Sequence, residues 1–313
     1  MIDNRTSDII WEIKAIAIYS VFYAHLVWTG DSIVGRTIYE SIGCIGVPIF
    51  MIIAGFFDLK SHSLMKKRMQ RLLIPLLFWG TCTFVIRFFT DTIKVSLDGI
   101  VQDWFKWIYG CDTWYYFIPV LLWCQLLSRC FTSKFLLILG ISSMLLTSFG
   151  VIPYNRIFTP YNNPLNLLVY FVLGREFSSR NVENVSFNIV WVVVSSVFVV
   201  LFLTIFQIPY YWNIFTPLFT IGIISILFCL LSHIQVTPLL VKIGKLSFVL
   251  YLCHMQIAQA LSTRIYSLMG GGFFANIIKV PIALIIILLL VISVEKVLLF
   301  IKFGKALSWL GYR

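Results

Sequence analysis

The run IIWEIKAIAIYSVFYAHLVW, residues 9–28, decides how this chain has to be read. Its twenty residues suffice for one helical crossing of a ~30 Å hydrocarbon core. Inside the run stand Glu12, Lys14 and His25. Lys14 and His25 are eleven residues apart, which on a helix is three turns plus about 20°. They therefore share a face, ~16 Å apart along the axis. Ionisable groups at such depth are costly and usually face protein or a water-filled cavity, so the pair marks a candidate functional site. Two plainer readings stand beside it. Lys14 can snorkel its ammonium to the headgroups, and His25, three residues from the end of the run, can be an interfacial group.

The rest of the chain is of the same kind. Apolar residues make up 60% and charged residues 12%, and the mean hydropathy is +0.94. Such a chain is solvated mostly by lipid and is read as an integral membrane protein. The first run is too long for a cleavable signal and no small-residue cleavage site follows it, so it is expected to remain as the first span. Further spans are predicted at 42–59, 72–89, 114–130, 135–152, 165–177, 187–206, 214–232, 246–262 and 277–299, ten in all. Only helices satisfy the backbone inside segments so continuously apolar; barrel strands would alternate polar and apolar residues. Pro75, Pro119, Pro217 and Pro281 fall near the starts of their predicted spans, where proline is tolerated.

The longest interruption, 90–113, leaves room for a small cap but for no soluble domain, so a single transmembrane domain over 1–313 is expected. Of the 24 Lys and Arg, 17 fall on the side shared by the N-terminus and the even-numbered loops. That bias predicts both termini in the cytoplasm, and the chain is expected to be a multi-pass protein of the plasma (inner) membrane. The net charge of +11 thus reports topology and attraction to anionic lipid, and calls for no nucleic-acid partner. Seven cysteines lie within or beside apolar runs without metal-ligand spacing; they read as packing residues, and no metal is expected.

Four further stretches can carry chemistry. Arg68 and Arg71, in KKRMQR (66–71), lie three residues apart on one helix face. Two guanidinium forks at a membrane surface suit phosphate oxygens, although a topogenic basic loop explains the charge equally. Trp114, Tyr115 and Tyr116 open the fourth span among outer-loop aromatics that also include Trp107 and Tyr109. An aromatic belt accounts for these, and stacking on a sugar ring is the alternative. His254, in GKLSFVLYLCHMQI (244–257), is a second imidazole at membrane depth, which a hydrogen bond between helices would also explain. Glu295 is one of few carboxylates in the spans, and a basic neighbour can pair with it. His62 and His233 are placed in cytoplasmic loops without a role.

Taken in order, Lys14 and His25, GVPIFMIIAGFF (46–57), Arg68-Met69-Gln70-Arg71, Trp114-Tyr115-Tyr116, SFVLYLCHM (247–255) and Val294-Glu295-Lys296 resemble acyltransferase family 3, the integral-membrane O-acyltransferases, over nearly the whole chain. Much of that family carries arginine ten residues before the first-span histidine; Lys14 preceded by Asp8 is similar to the fucose 4-O-acetylase-like branch. Lysine offers no bidentate fork, so a role inherited from that arginine does not transfer directly.

The resemblance implies transfer of an acyl group, usually acetyl from cytoplasmic acetyl-CoA, to a hydroxyl of a glycan or lipid-linked sugar. It implies His25 and Lys14 as catalytic residues and Arg68 and Arg71 at the donor. It implies Trp114, Tyr115, Tyr116, His254 and Glu295 at the acceptor. His25 would serve either as general base towards the acceptor hydroxyl or as a transient acyl carrier. Association of identical chains is compatible with it. The competing reading is a glycolipid transporter or flippase, and a catalytically inactive scaffold is a third.

Overall fold

A computed structural model describes residues 4–27, 42–58, 65–90, 99–110, 114–155, 158–179 and 213–312, together with 193, 194 and 197. Every regular element among them is helical, as the unbroken apolar runs require. In chain order the helices are α1 (Asn4–Leu26), α2 (Gly46–Asp58), α3 (Met65–Phe89), α4 (Ile100–Tyr109), α5 (Phe117–Cys130), α6 (Ser133–Ser148), α7 (Pro164–Ser179), α8 (Thr216–His233), α9 (Pro238–Cys253), α10 (Gln259–Leu268), α11 (Gly272–Phe300) and α12 (Lys305–Leu310). A 3-10 turn, Trp114–Tyr116, leads into α5, and a widened π turn, His254–Ala258, joins α9 to α10 in one continuous rod.

Five of these helical stretches are long and apolar enough to cross a membrane: Asn4–Leu26, Met69–Phe89, Thr216–His233, Pro238–Leu268 and Gly272–Phe300. The spans expected at 42–59, 114–130, 135–152 and 165–177 appear as α2, α5, α6 and α7, of 13, 14, 16 and 16 residues. At ~1.5 Å per residue they fall short of a ~30 Å core. α2, α5 and α7 can be short because they are buried among other helices, where protein shields the backbone at their ends. The span expected at 187–206 lies, apart from residues 193, 194 and 197, outside the described residues. In the interruption 90–113 the structure places α4, an amphipathic helix whose Trp107 and Ile108 are buried while Val101 and Phe105 face outward.

Several helices, α3, α9 and α11 among them, begin earlier than their apolar runs. α3 starts at Met65 and α11 at Gly272, so Pro75 and Pro281 stand inside helices rather than at their starts. Each removes one backbone hydrogen bond, at Pro75 the one that the Arg71 carbonyl would have accepted. Pro119 and Pro217 do fall in first turns.

The core is organised around α1, whose apolar window is 72% buried, against 39% for α11 on the periphery. α1 packs on α9, α2, α11 and α8, and α2 in turn packs on α7. The closest approaches are made by glycine. A Cβ on Gly244 of α9 would collide with the carbonyl of Trp11 in α1, and Gly55 and Gly174 meet the backbones of Phe171 and Ile52 across the α2–α7 crossing. Backbone carbonyls cannot rotate away as side chains can, so any added methyl must push the helices apart. Gly244→Ala is expected to destabilise the protein by about 1–3 kcal/mol. The lowered midpoint of thermal unfolding in detergent checks it, with Gly150→Ala, which meets nothing within 4 Å, as the reference for turn strain alone.

At the end of the bundle where α1 begins, Asp58 of α2 is 1% exposed and lies 3.1 Å from Arg129 of α5 and 3.9 Å from Arg175 of α7. Ser128 donates to the same carboxylate, and Arg175 donates to the Ser128 carbonyl at 2.9 Å. At the opposite end, Ser143 and Thr147 of α6 both donate to Asn166 of α7, and Tyr154 closes the network. α2, α5, α6 and α7 are thus fastened as a subgroup against which α1 packs.

Candidate active site

Helix α1 carries Lys14 and His25, and α9 runs into the π turn that carries His254. They are joined at their starts by Glu12, which is fully buried and accepts the backbone N–H of Thr237, the residue preceding α9, at 2.7 Å. A carboxylate there satisfies an orphan donor and complements the positive end of the α9 dipole. With Gly244 seated on Trp11, the two helices are held in register, and their far portions bring His25 and His254 together.

Lys14 is buried, with its ammonium 4.4 Å from the ring of Trp11. It lines a cavity of about 320 Å³ whose wall is mostly apolar, including Phe50, Phe57, Leu121 and Phe248. The polar groups in that wall are Lys14, Arg71, Gln125, Ser247 and Tyr251. Arg71 is exposed, one helical turn beyond the exposed Lys66 and Lys67, so the cavity has its basic mouth at the end where α1 and α3 begin. The side chain of Arg68 lies outside the described residues. Gln125 is 2% exposed, and its amide oxygen has no hydrogen-bond partner among the described residues.

Tyr251 links this cavity to the histidines. Its ring is part of the cavity wall, its hydroxyl donates to the carbonyl of Trp114, and its own carbonyl accepts from His254 Nδ1. A carbonyl can only accept, so Nδ1 carries the proton, and in the neutral ring Nε2 keeps its lone pair. His254 is fully buried, stacked against Tyr251 at 5.4 Å, and its Nε2 has no partner among the described residues. The His25 ring lies 5.0 Å from it, centre to centre. His25 is solvent-exposed, whereas His254, against which its ring lies, is fully buried. The π turn begins at His254. Turns of this kind open a helix by one residue and recur where side chains must be re-aimed.

The expected acceptor aromatics divide. Tyr115 is fully buried, not in an interfacial belt, and its hydroxyl bonds Thr83 of α3 at 3.0 Å and accepts from Gln256 of the π turn. Trp114 is half-buried beneath the Arg87 guanidinium, 4.8 Å from its ring centre. Tyr116 is half-buried and tilted against Tyr161 at 5.8 Å. Burial replaces the belt reading here because α4 and the 3-10 turn fold back over the end of α3. Glu295, on α11, makes no hydrogen bond to either histidine among the described residues. It lies half-buried beside Tyr312 near the end of α11 and makes no ion pair among the described residues. Of the cysteines expected to be packing residues, Cys44, Cys124 and Cys253 are buried, Cys82 and Cys229 are half-buried, Cys130 is exposed, and Cys111 lies outside the described residues.

Sequence reasoning passed over Gln125, Tyr251 and Gln256. Gln125 and Gln256 were legible as lone amides inside apolar runs. Tyr251 had no such mark, because tyrosine is common at membrane depth and only its carbonyl holds His254.

A family profile described as an acyltransferase domain matches residues 13–296, from the residue before Lys14 to the one after Glu295. No curated protein and no solved structure matches the chain. Since the match takes in the motif-bearing helices and all but the two ends of the chain, this multi-pass membrane protein belongs to acyltransferase family 3 and is an acyltransferase.

Proposed function

We propose that the protein takes the acetyl group from cytoplasmic acetyl-CoA and places it on a hydroxyl of a glycan or lipid-linked sugar, in the plasma (inner) membrane, as in the fucose 4-O-acetylase-like branch. The observation that carries this reading is the cavity, which begins at basic Arg71, passes Lys14 and ends at Tyr251, the residue whose carbonyl orients His254 beside His25. CoA combines phosphates, an arm bearing two amides and a thioester. Arg71, with Arg68 one turn away, meets the phosphates. The orphaned Gln125 oxygen and the Ser247 hydroxyl meet the amides of the arm. Lys14 stands where it can assist the thioester carbonyl or a phosphate. The ~16 Å between Lys14 and His25 is comparable with the length of that arm.

In the transfer, the acceptor oxygen attacks the thioester carbonyl carbon and its proton passes to His25. The new C–O bond forms, the C–S bond breaks, and the CoA thiolate leaves and is reprotonated. His25 is the reached member of the histidine pair, and His254 offers only Nε2, facing the reacting groups from behind. A metal has no part in the scheme. The cytoplasmic placement of the cavity mouth follows the positive-inside bias of the chain.

Acetyl-CoA and CoA at 100-fold above Kd should stabilise the folded protein by about 2.7 kcal/mol, read as a rise of several degrees in thermal midpoint in detergent. Replacing Arg68 and Arg71 together by lysine keeps the charge and removes the forks, and should weaken CoA binding about tenfold. No stabilisation of the parent would remove the acyltransferase reading of the cavity in favour of a transport or scaffold role. Unchanged affinity in the double variant would leave the arginines a purely topogenic part.

A further inference from the structure

The deep end of the cavity that Lys14 and Arg71 line is walled by three aromatic rings from three helices, Phe50 of α2, Phe117 of α5 and Tyr251 of α9. α2 and α5 finish at the end of the bundle where α1 begins and where the basic mouth lies, so residues near their starts are the deep ones. Phe50 stands seven residues before Phe57 on α2, and Phe117 eight before Gln125 on α5, which places them ~10 Å and ~12 Å further in. Tyr251 lies four residues beyond Ser247 on α9, again on the inward side. The rings form a contiguous set: Phe50 and Phe117 are 6.1 Å apart, centre to centre, and Phe117 meets Tyr251 edge to face at 5.5 Å.

This wall is held in place. The Tyr251 hydroxyl donates to the carbonyl of Trp114, three residues before Phe117, so one hydrogen bond ties α9 to the turn from which α5 starts. Phe117 is buried. With that hydroxyl committed, the three side chains offer the cavity carbon alone, and the polar Gln125 and Ser247 lie at least one helical turn nearer the mouth. A donor whose phosphates are held at Arg71 points its thioester inward, and its acyl group is then the part that meets the rings. A methyl group suits such a surface, whereas each further methylene must displace close-packed carbon.

We propose that Phe117 sets the length of the acyl group: its ring, wedged between Phe50 and Tyr251, closes the cavity beyond the acetyl methyl, and donors with longer chains are rejected by that contact. The proposal rests on the reading of the cavity as the CoA site and adds the residue that measures the chain. One methylene in an apolar pocket is worth about 10- to 200-fold in discrimination, so the wall needs no polar group to be selective.

The test needs no acceptor. Dissociation constants of CoA, acetyl-CoA, propionyl-CoA and butyryl-CoA are measured by thermal-shift titration of the full chain in detergent. In the parent, propionyl-CoA is expected to bind about tenfold, and butyryl-CoA about 100-fold, more weakly than acetyl-CoA. Phe117→Ala should bring butyryl-CoA to within about threefold of acetyl-CoA, since the space of a ring admits two methylenes. CoA itself, which carries no acyl group, should bind that variant as it binds the parent. Phe50→Ala opens the same wall from α2 and decides the matter if Phe117→Ala does not fold. Phe84→Ala removes a buried ring of α3 that packs on Trp107 and has no part in the cavity wall, so it should keep the parent's ratios between donors. The proposal is overturned if the parent binds butyryl-CoA as tightly as acetyl-CoA, if the folded wall variant keeps the parent's ratios, or if Phe84→Ala relaxes them as much. Absence of any shift with CoA and acetyl-CoA in the parent is a different failure, that of the donor site itself.

Discussion

His25→Ala is expected to slow acetyl transfer by ~10²- to 10⁴-fold, the usual worth of a general base, while the stabilisation by acetyl-CoA stays close to that of the parent. The split follows from where His25 lies. It is absent from the wall of the donor cavity, which ends at Tyr251, and it is the solvent-reached member of the pair. A group that acts on the acceptor hydroxyl in the transition state contributes to turnover and hardly to donor binding. His254 is the internal comparison. Its Nδ1 is committed to the Tyr251 carbonyl and its ring is closed off, so it can orient or assist but is not reached first. His254→Ala should therefore cost less, on the order of 10- to 10²-fold. The two variants are compared by single-turnover acetyl transfer alongside thermal shifts. If His254→Ala loses turnover while His25→Ala remains active, the catalytic assignment moves to the π turn. A loss of only a few-fold in both would make the pair a structural contact between α1 and α9.

Asp58→Ala is expected to be the most destabilising change at the opposite end, by about 2–4 kcal/mol. Asp58 is almost wholly buried and serves two guanidiniums and a hydroxyl from α5 and α7. Removing it takes away the buried carboxylate that Arg129 and Arg175 share. Because Arg129 is 25% exposed, water relieves part of the cost, which is why the figure sits somewhat below the usual ~3–5 kcal/mol. Asp58→Asn keeps the volume and one acceptor, and should cost less than alanine. The surface pair Lys106–Asp103, each about a third exposed, is the contrast: breaking it should cost at most about 0.5 kcal/mol. Thermal midpoints and folded yields in detergent decide the matter. An Asp58→Ala protein as stable as the Lys106 or Asp103 variants would show that the buried cluster does not hold α2, α5 and α7 together.

Much about this protein was settled by the chain alone, because it depends on stretches contiguous in sequence. The length of the run at residues 9–28 and the hydropathy of the later runs required membrane helices, and the ordered motifs from Lys14 to Glu295 pointed to the family. Helix ends were less legible. α3, α9 and α11 begin before the spans expected for them; in α3 the added turns, Met65–Arg71, are basic and polar and so helical without being hydrophobic. What only the tertiary structure decided are the meetings between distant residues. His25 and His254 are 229 residues apart in the chain, and they stand side by side because Glu12 caps α9 and Gly244 lets it approach α1. Tyr115 reads as an interfacial aromatic until α4 and the 3-10 turn bury it against Thr83 and Gln256. Asp58 pairs with arginines 71 and 117 residues further on. Periodicity tells which face of a helix is apolar, but the partner of that face is set by close backbone crossings and by the need to satisfy each buried polar group, and these are properties of the packed whole.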